Sequence, residues 1–577
     1  MRWVLRQPEP AAVSRLEREL DVLPPLARLL VLRGLADPEA AARFLRPALS
    51  QLHSPYQMLG MTAAVERLQA AIAGKEPVLI YGDYDVDGTT AVVILKTAIE
   101  LLGGAADSHV PHRIREGYGM KDDVIEHAAA AGVRLIISVD TGIRAFQAAE
   151  TARRLGVDLI VTDHHLPAAG EGVPPALAVL NPNQAGCDYP CKALCGAGVA
   201  FKLAQALLEK AGRERLLPSF LKMVAIATIA DAVPLTGENR VFARLGLEGL
   251  RSPVNAGLKA LLQAAQLEGT RPLTSTDVAF RLAPRLNAAG RMDVARDVIE
   301  LFTVRDAVRA GEIAARLNQL NAERQQEEAR ILAEVHAQLD SDAALREAFC
   351  IVVDGDRWHR GVIGIAATRV VERFGRPALV LAREESEAYG SGRSIPAFHL
   401  LEALESCHQL FTRFGGHAHA VGFSLPVERV AELRQALDSY ARARLTLADF
   451  EPVLNLDAEL SLDQVTPQFY DALRQLAPFG MENPEPVFAA RNLRLALPPR
   501  ILKEKHLKLK VAAAPNSRAL DALGWRMAER LANDALVPGD RLDLAFILEE
   551  NTHPDFGGLQ LVLRDFARAG QRAASSE

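Results

Sequence analysis

The sequence predicts an α/β protein in which two α/β domains are joined by a long helix and followed by a β-rich module. Between about residues 78 and 181, and again from Ile351, short apolar runs alternate with Ala-rich helical stretches. Continuous apolar strands that alternate with helices indicate a parallel sheet covered on both faces. From about residue 450 the apolar period shortens and turn residues separate short strands, which is typical of a small β-barrel.

The composition narrows the functions that the chain can have. Of 577 residues, 49% are hydrophobic and 24% are charged, which excludes a disordered or fibrous chain. Acidic residues outnumber Lys and Arg by 72 to 66, so any site for a polyanion is a local patch. No apolar run approaches the ~18 residues of a membrane-spanning helix, and the N-terminus lacks a signal sequence. We therefore expect a cytoplasmic protein that contacts no membrane.

Five cysteines are an odd and sparse set, which argues against a disulfide scaffold and fits a reducing compartment. Cys187, Cys191 and Cys195 form a C-x3-C-x3-C run that could hold a metal or cluster. The spacing matches neither structural zinc pairs nor the common iron–sulfur motifs. A loop with incidental thiols is the favoured interpretation.

We expect six segments along the chain. Apolar residues recur at helical spacing from Ile313 to Leu320 and from Ile331 to Leu339, whereas residues 323–328 are polar all round. A long helix with a polar middle is typical of a connection between two domains. The predicted segments are a helical N-terminus (1–50), a first α/β domain with a helical extension (51–309), the connecting helix (310–345), a second α/β domain (346–445), the β-rich module (446–570) and a disordered tail (571–577).

Polar and ionisable residues follow each predicted strand of the first domain. Because function gathers past the carboxyl ends of parallel strands, these residues should share one sheet edge. The segments are Gly82-Asp83-Tyr84-Asp85-Val86-Asp87-Gly88, Asp140-Thr141-Gly142, Asp163-His164-His165 and Asn181-Pro182-Asn183.

Asp83, Asp85 and Asp87 alternate, and three carboxylates this close repel one another unless a cation neutralises them. The pattern also resembles the start of a calcium loop, but Ile94 occupies the position of its final Glu. A catalytic metal site is favoured over a solvated acidic loop.

Adjacent His164 and His165 point to different sides of an extended chain, so one can ligate an ion while the other orients substrate or supplies a proton. Carboxylates with imidazole suit Mn²⁺ or Mg²⁺. A set this rich in carboxylates suggests two ions ~3.5–4 Å apart, the arrangement that promotes in-line attack on phosphorus. The residues therefore indicate hydrolysis of a phosphoester or phosphoanhydride.

Two basic segments could contact phosphates. Arg281, Arg285 and Arg291 lie in RLAPRLNAAGR, and their forked donors match phosphate oxygens, although ordinary surface ion pairs are an alternative. In the last module, Lys508 and Lys510 alternate with apolar residues and give one strand a basic face. That face suits a groove that follows a nucleic-acid backbone, and an edge strand protected by lysine is the alternative.

Several of these motifs resemble the DHH phosphoesterase family. GDYDVDGTT, SVDTG, TDHH and TIADAVPL resemble its first domain, and SGRS and GGHAHAVG resemble its DHH-associated domain. LCGAGVAFKL, NPN and RLAPRLNAAGRM are similar to the family's single-strand-specific 5′→3′ exonucleases. The likeness runs from about residue 75 to 425 and, more weakly, through HLKL into the β-rich module.

The resemblance implies a set of site residues. Metal ligation falls to Asp83, Asp85, Asp140, His164 and Asp231. His165 lies beside them in a catalytic role, and Asp87 is either catalytic or only orients the turn. Several relatives place a His near the first motif, whereas here Tyr81 stands just before Gly82, which leaves the full set of ligands for a second ion open. The resemblance also implies a cleft between the α/β domains, an OB-like barrel at the C-terminus and dependence on Mn²⁺ or Mg²⁺.

The function implied is a processive, monomeric 5′→3′ exonuclease that degrades single-stranded DNA to mononucleotides in repair and recombination. A helicase and a single-strand-binding protein are possible partners. The alternatives are a phosphodiesterase for short oligonucleotides or cyclic dinucleotides, a pyrophosphatase, and a binding module that has lost catalysis.

A 5′→3′ enzyme must recognise a strand end, and a 5′-phosphate is the natural handle. We expect Arg113, Ser391 and Arg393, with Arg291, to close around that phosphate, and Tyr118 to stack on a nearby base. Pairing of Arg113 and Arg393 with acids between the domains is the alternative. The remaining predicted substrate-binding residues are Arg285, Asn287, His417, Lys508 and Lys510.

Overall fold

The structure is a computed structural model that describes residues 1–113, 115–168, 170–269, 271–292, 295–551, 557–571 and 575–576. The strands are β1 (Arg2–Leu5), β2 (Pro77–Gly82), β3 (Ala105–His109), β4 (Leu135–Val139), β5 (Asp158–Thr162), β6 (Ala178–Leu180), β7 (Ile351–Asp356), β8 (Ala378–Glu384), β9 (Glu387–Arg393), β10 (Arg413–Gly416), β11 (Ala420–Pro426), β12 (Val453–Leu456), β13 (Ala458–Glu459), β14 (Phe488–Leu495), β15 (Arg500–Leu502), β16 (His506–Ala512), β17 (Ala519–Gly524), β18 (Arg541–Asn551), β19 (Gly558–Arg568) and β20 (Ser575–Ser576). The helices are α1 (Pro10–Leu20), α2 (Pro24–Leu32), α3 (Pro38–Leu45), α4 (Met61–Gly74), α5 (Val86–Leu101), α6 (Asp122–Ala130), α7 (Phe146–Arg154), α8 (Gly196–Lys210), α9 (Leu217–Ala230), α10 (Gly237–Gly249), α11 (Ala256–Ala264), α12 (Ser275–Asp277), α13 (Ala283–Met292), α14 (Arg296–Thr303), α15 (Ala307–Ser341), α16 (Ala343–Glu347), α17 (Ile363–Phe374), α18 (Leu400–Glu405), α19 (Val430–Arg442), α20 (Pro467–Arg474) and α21 (Ala528–Asp534).

The chain divides into two compact units. Unit 1 contains residues 1–51, 234–240 and 452–577, and unit 2 contains residues 52–233 and 241–451. The sequence predicts a separate helical segment over residues 1–50. In the structure these residues belong to unit 1, together with the β-rich module.

The first sheet of unit 2 has the strand order β3-β2-β4-β5-β6, and all its pairings are parallel. Strands β2, β4, β5 and β6 coincide with the apolar runs that predict them. Their register aligns Gly82 with Val139, Val139 with Thr162, and Thr162 with Leu180. The polar segments that follow these strands therefore emerge at one edge. Strand β3 is absent from the sequence prediction because its sequence, AADSH, has no apolar run.

Helices α5 and α8 pack on this sheet, α9 packs against both of them, and all three are almost wholly buried. Every residue of α5 from Val86 to Leu95 is buried. Neighbouring elements therefore surround the first turns of α5, and polar residues such as Asp87, Thr89 and Thr90 are buried along with the apolar ones.

Helix α15 is 35 residues long, a rise of ~52 Å, and joins the two α/β domains as predicted. Its N-cap, Asp306, accepts a hydrogen bond from the backbone of Arg309. Apolar residues are buried near both ends of the helix, but Asn321 and Arg324 are buried in its polar middle.

The second sheet of unit 2 has the order β10-β11-β9-β8-β7. Only β7 and β8 pair in parallel, and the other neighbours are antiparallel. The sheet is mixed because short turns join β8 to β9 and β10 to β11 as antiparallel hairpins, whereas α18 lies in the connection between β9 and β10. Helix α17 packs with α15 on one face, and α18 and α19 pack on the other.

Unit 1 is built on a seven-stranded sheet of order β13-β14-β18-β19-β17-β16-β15, in which β14 also pairs with β16. Helices α1, α2 and α3 share one hydrophobic core with this sheet. Strand β1 pairs in parallel with β12 and with Ser575–Ser576, and the buried indole of Trp3 donates to Asp565 over 2.8 Å. Residues 572–574 and 577 of the predicted disordered tail lie outside the described residues.

No helix in the described ranges is long and apolar enough to cross a membrane. None of the five cysteines, all of which lie in the described ranges, forms a disulfide. Within the part of the chain that the structure describes, the groups of side chains close enough to hold an ion contain no cysteine.

Candidate metal centre

Five acidic residues and two histidines meet at the carboxyl edge of the first sheet. They form three groups whose ligand atoms lie within 4.8 Å of one another: Asp83 with Asp85 and Asp140, Asp140 with His164 and His165, and Asp87 with His164 and Asp231. Asp140 and His164 each belong to two groups. The predicted ligands therefore come together from four separate parts of the chain.

His164 lies at the centre of the cluster. Its Nε2 is 3.2 Å from Asp140 Oδ1 and 3.8 Å from both Asp87 Oδ2 and Asp231 Oδ2. Asp231 reaches the site from the C-cap of α9. These distances leave room for an ion among carboxylate oxygens and one imidazole nitrogen.

The three carboxylates in the turn after β2 have different hydrogen-bond partners. Asp85 is the N-cap of α5, and its side chain accepts from Gly88 N over 3.0 Å. Asp87 is fully buried and accepts from the backbone N–H groups of Gly196 and Ala197 at 2.6 and 2.8 Å. Asp87 thereby fixes the N-terminus of α8 against α5, which favours its orienting role.

Asp140 occupies a strained backbone position, with φ 59°. Such left-handed geometry disfavours a non-glycine residue and clusters at functional sites. Gly196 approaches it so closely that an added Cβ would lie 2.5 Å from the Asp140 side chain. The carboxylate is therefore held between its strand end and α8.

The electrostatics of the cluster fit a cation. Asp83 Oδ1 and Asp140 Oδ1 are buried and accept no hydrogen bond from the described residues. Burial, and then the neighbouring carboxylates, raise the pKa of both Asp83 and Asp140. Burial together with Asp87 and Asp85 raises the pKa of Asp231 to about 9. Hard oxygen donors that repel one another are the ligands that Mn²⁺ and Mg²⁺ neutralise.

Asp163 orients the histidine pair and is a functional residue that the sequence reasoning left without a role. Its Oδ1 accepts from the backbone of His164 and His165 and lies 2.8 Å from His165 Nδ1. Burial of the two side chains opposes both shifts, but the hydrogen bond between them lowers the pKa of Asp163 and raises the pKa of His165. His165 therefore holds a proton more readily than an ordinary histidine.

The NPN segment supports the same loop. Asn181 Nδ2 donates to His165 O over 2.8 Å, and Asn183 Nδ2 donates to His164 O over 2.9 Å. Tyr118 lies on the other side, with its hydroxyl 3.4 Å from His165 Nδ1 and the two rings 5.9 Å apart.

Arginines from both α/β domains converge beside the cluster. The Arg113 guanidinium lies 4.8 Å from the centre of the Tyr84 ring, and Arg291 donates to Gly361 O over 3.1 Å. Arg393 donates to Ser391 Oγ over 3.1 Å. Burial and the positive charge of Arg113 lower the pKa of both Arg291, to about 10, and Arg393.

Among the described residues, none of Arg113, Arg291 and Arg393 forms an ion pair with a carboxylate. This finding argues against the alternative in which Arg113 and Arg393 pair with acids between the domains. Arg324, in the middle of α15, also lowers the pKa of Arg291 through its positive charge, and it is itself paired with Glu328 over 2.6 Å. Sequence reasoning missed Arg324 because one arginine in a polar stretch carries no local signal.

The other predicted substrate-binding residues have different surroundings. Asn287 Oδ1 accepts from Val86 N over 3.0 Å, so its carbonyl supports the first metal-binding turn. Arg285 donates to Asn318 Oδ1 and to the backbone carbonyl of Arg281. His417 is exposed in the turn between β10 and β11. Lys508 and Lys510, in unit 1, lie 2.8 and 3.9 Å from Asp521, so their charge is partly offset.

Comparisons with known proteins identify relatives for most of the chain. Residues 77–228 match the family model described as the DHH family N-terminal domain, residues 347–443 match the DHHA1 domain, and residues 456–565 match the RecJ OB domain. The single-stranded-DNA-specific exonuclease RecJ of Bacillus subtilis is 38% identical over 570 residues, which cover 98% of this chain and 71% of the relative. The protein of the same name from Dickeya dadantii is 36% identical, over 96% of this chain and 97% of the relative.

A solved structure shows the same fold. The crystal structure of RecJ in complex with Mn²⁺ from Thermus thermophilus has a TM-score of 0.83 and 29% identity. The match covers 99% of this chain and 80% of that chain. A second crystal structure from the same organism, in complex with Mg²⁺, matches with a TM-score of 0.79 and 28% identity, over 100% of this chain and 79% of that chain.

Proposed function

The chain belongs to the RecJ family of single-stranded-DNA-specific exonucleases, and from that membership we propose that it hydrolyses single-stranded DNA from the 5′ end to mononucleotides with Mn²⁺ or Mg²⁺. The observation that carries the proposal is that the three ligand sets are linked, because Asp140 and His164 each belong to two of them. Two adjacent sets with a common carboxylate fit a pair of ions. We further propose that the enzyme acts as a monomer in the cytoplasm, in DNA repair and recombination, on strands exposed by a helicase.

The residues of the centre have separable roles. Asp83, Asp85, Asp140, His164 and Asp231 would hold the ions. When bound, such ions polarise the phosphate and the attacking water.

His165 is the proton donor in this proposal, because its hydrogen bond to Asp163 keeps the ring oriented and raises its pKa. The proton would pass from the ring to the oxygen that leaves phosphorus. General acid catalysis of this kind contributes about 10²–10⁴-fold to a rate.

We attribute the 5′→3′ direction of hydrolysis to the arginines that converge beside the metal centre. A 5′-terminal phosphate carries more charge than an internal one, and Arg113, Arg291 and Arg393 offer it donors that no described carboxylate occupies. Ser391 hydrogen-bonds Arg393 and would complete the pocket. The phosphate of the first nucleotide would then fix the scissile bond beside the carboxylates.

The activity is tested by comparing hydrolysis of long single strands, the same sequence as duplex, short oligonucleotides and cyclic dinucleotides, each with and without Mn²⁺. We expect metal-dependent release of mononucleotides from the long single strand. Faster hydrolysis of cyclic or very short substrates would instead support the phosphodiesterase alternative.

The end recognition is tested with 5′-phosphorylated and 5′-hydroxyl strands. Wild type should prefer the phosphate, and Arg393→Ala should lose that preference more than it loses basal cleavage. Arg413→Ala is a matched control, because Arg413 is exposed on the same sheet. Full preference in Arg393→Ala would place the phosphate pocket elsewhere.

A further inference from the structure

The backbone of His164 and His165 is held by side chains rather than by other backbone groups. Asp163 Oδ1 accepts from the N–H groups of both histidines. Their carbonyl oxygens accept from the side-chain amides of Asn183 and Asn181. Among the described residues, neither histidine takes part in a backbone–backbone hydrogen bond. The geometry of a turn that carries a predicted metal ligand therefore depends on those three side chains.

Asn183 also connects this turn to the loop that follows it. Its Nδ2 donates to His164 O over 2.9 Å and to Lys192 O over 3.2 Å. The backbone of Asn183 is fixed as well, because its N–H donates over 2.7 Å to Asn181, which is fully buried. The position of the His164 carbonyl is thus tied to the position of Lys192.

Lys192 closes this loop. Its ammonium group donates to Pro182 O over 2.8 Å and to Cys187 O over 2.6 Å. The loop contains the C-x3-C-x3-C run: the backbone of Cys187 accepts from Lys192, and Cys195 is the N-cap of α8. The three cysteines are therefore part of a closed loop that ends where α8 begins.

The far end of the loop holds Asp87. Helix α8 begins at Gly196, and the N–H groups of Gly196 and Ala197 donate to the Asp87 carboxylate at 2.6 and 2.8 Å. His164 Nε2 lies 3.8 Å from Asp87 Oδ2, and both residues belong to one of the three ligand groups. One end of the loop thus holds His164 and the other holds Asp87.

We propose that residues 182–196 form a brace that sets the position of the metal ligand His164 relative to Asp87, with Asn183 and Lys192 as its positioning residues. Asn183 would act on His164 through the carbonyl oxygen. Lys192 would act through Asn183, by keeping the loop closed. The brace rests on the proposed function, because it requires that this ligand group binds an ion. Partners that orient metal ligands commonly contribute about 10- to 100-fold to metal affinity.

A role in stability alone would give a different result. If these hydrogen bonds only stabilised the fold, their loss would lower the free energy of unfolding and leave the metal affinity unchanged. Gln184 allows the comparison, because it follows Asn183 directly and is also buried. Its amide donates to the carbonyl oxygens of Val179 and Leu59 rather than to a histidine. Gln184→Ala is therefore the matched control.

Mn²⁺ binding is measured on the full chain without DNA, from the EPR signal of free Mn²⁺, so the readout does not depend on hydrolysis. We expect Asn183→Ala to weaken binding about 10- to 100-fold. Lys192→Met should weaken it about 2- to 12-fold, the equivalent of one hydrogen bond. Lys192→Arg should restore most of the affinity, because it keeps donors for the two carbonyls. Gln184→Ala should bind Mn²⁺ like wild type.

A double-mutant cycle tests whether Lys192 acts through Asn183. If it does, adding Lys192→Met to Asn183→Ala should cause no further loss of Mn²⁺ affinity. Additive losses would show that the two residues act independently and would overturn the role given to Lys192. Denaturant titration in EDTA measures the free energy of unfolding of each variant. If Asn183→Ala does not fold, Lys192→Met and Lys192→Arg decide the question.

Wild-type Mn²⁺ affinity in Asn183→Ala or Lys192→Met, or an equal loss in Gln184→Ala, would overturn the brace. Hydrolysis of single-stranded DNA by the wild-type chain is assayed with the same Mn²⁺. A wild-type chain that binds Mn²⁺ without hydrolysing DNA would refute the proposed function. Hydrolysis by wild type together with unchanged affinity in the variants would refute only the brace.

Discussion

Gly196 offers a sharp test of how the metal centre is built. It is the first residue of α8, and its backbone N–H donates to Asp87 over 2.6 Å. A Cβ added at this position would lie 2.5 Å from both Cβ and Oδ1 of Asp140. Gly196→Ala therefore forces Asp140 or the start of α8 to move.

The size of the effect follows from that contact. Ordinary van der Waals separation begins near 3.4 Å, so the Asp140 carboxylate or the helix must shift by about 1 Å. A misplacement of about 1 Å in a catalytic site can reduce the rate about 10²-fold. Overpacking of this kind destabilises a protein by about 1–3 kcal/mol, which leaves the chain folded.

Gly198→Ala is the matched control, two residues along the same helix. A Cβ there would lie 3.4 Å from Leu194 and 3.7 Å from the Cys195 sulfur, which are ordinary contacts. Because alanine favours a helix over glycine by up to about 1 kcal/mol, this variant should be as stable as wild type or slightly more stable. Its activity should be unchanged.

The assay measures nucleotide release from single-stranded DNA with saturating Mn²⁺, and the free energy of unfolding is measured by denaturant titration. We expect Gly196→Ala to lose about 10²-fold in kcat and Gly198→Ala to retain wild-type kcat. Wild-type kcat in Gly196→Ala would refute the reasoning that contact with α8 positions Asp140.

Three further perturbations address the charge cluster, pH dependence and unit 1. Asp140→Asn removes a predicted metal ligand, so hydrolysis should vanish. Because it also removes one of several repelling buried carboxylates, the metal-free chain should become more stable, as measured by denaturation in EDTA. Burial raises the pKa of Glu485 from 4.5 to about 6, which destabilises the folded state progressively as the pH rises from 4.5 and fully above about 6. Glu485→Gln should therefore stabilise the chain by about 1 kcal/mol at pH 8 and have no effect near pH 4. This figure is half the free energy that the pKa shift corresponds to, because the side chain is 36% exposed and solvent screens its charge. Ending the chain at Asp449 removes the strands that share a core with residues 1–51, so limited proteolysis should cleave that segment while residues 52–449 resist.

The sequence by itself determined the first sheet and the edge at which its chemistry lies. Buried parallel strands are continuous apolar runs, and the residues after each run must emerge together because parallel strands end at the same edge. Asp83, Asp140 and His164 were therefore predictable without any contact information. Asp231 follows a helix rather than a strand, and only its resemblance to a family motif pointed to the site.

Only the tertiary structure decided which side chains support that site and which charges remain available. Asp163 hydrogen-bonds both histidines, Arg324 adds charge beside Arg291, and Asp521 offsets Lys508 and Lys510 across a strand pairing. The sharing of one core by residues 1–51 and the C-terminal β-rich module also appears only in the structure. These contacts share one physical reason. The periodicity of a segment predicts which of its faces is buried, but it does not indicate which residues distant in the chain that segment contacts.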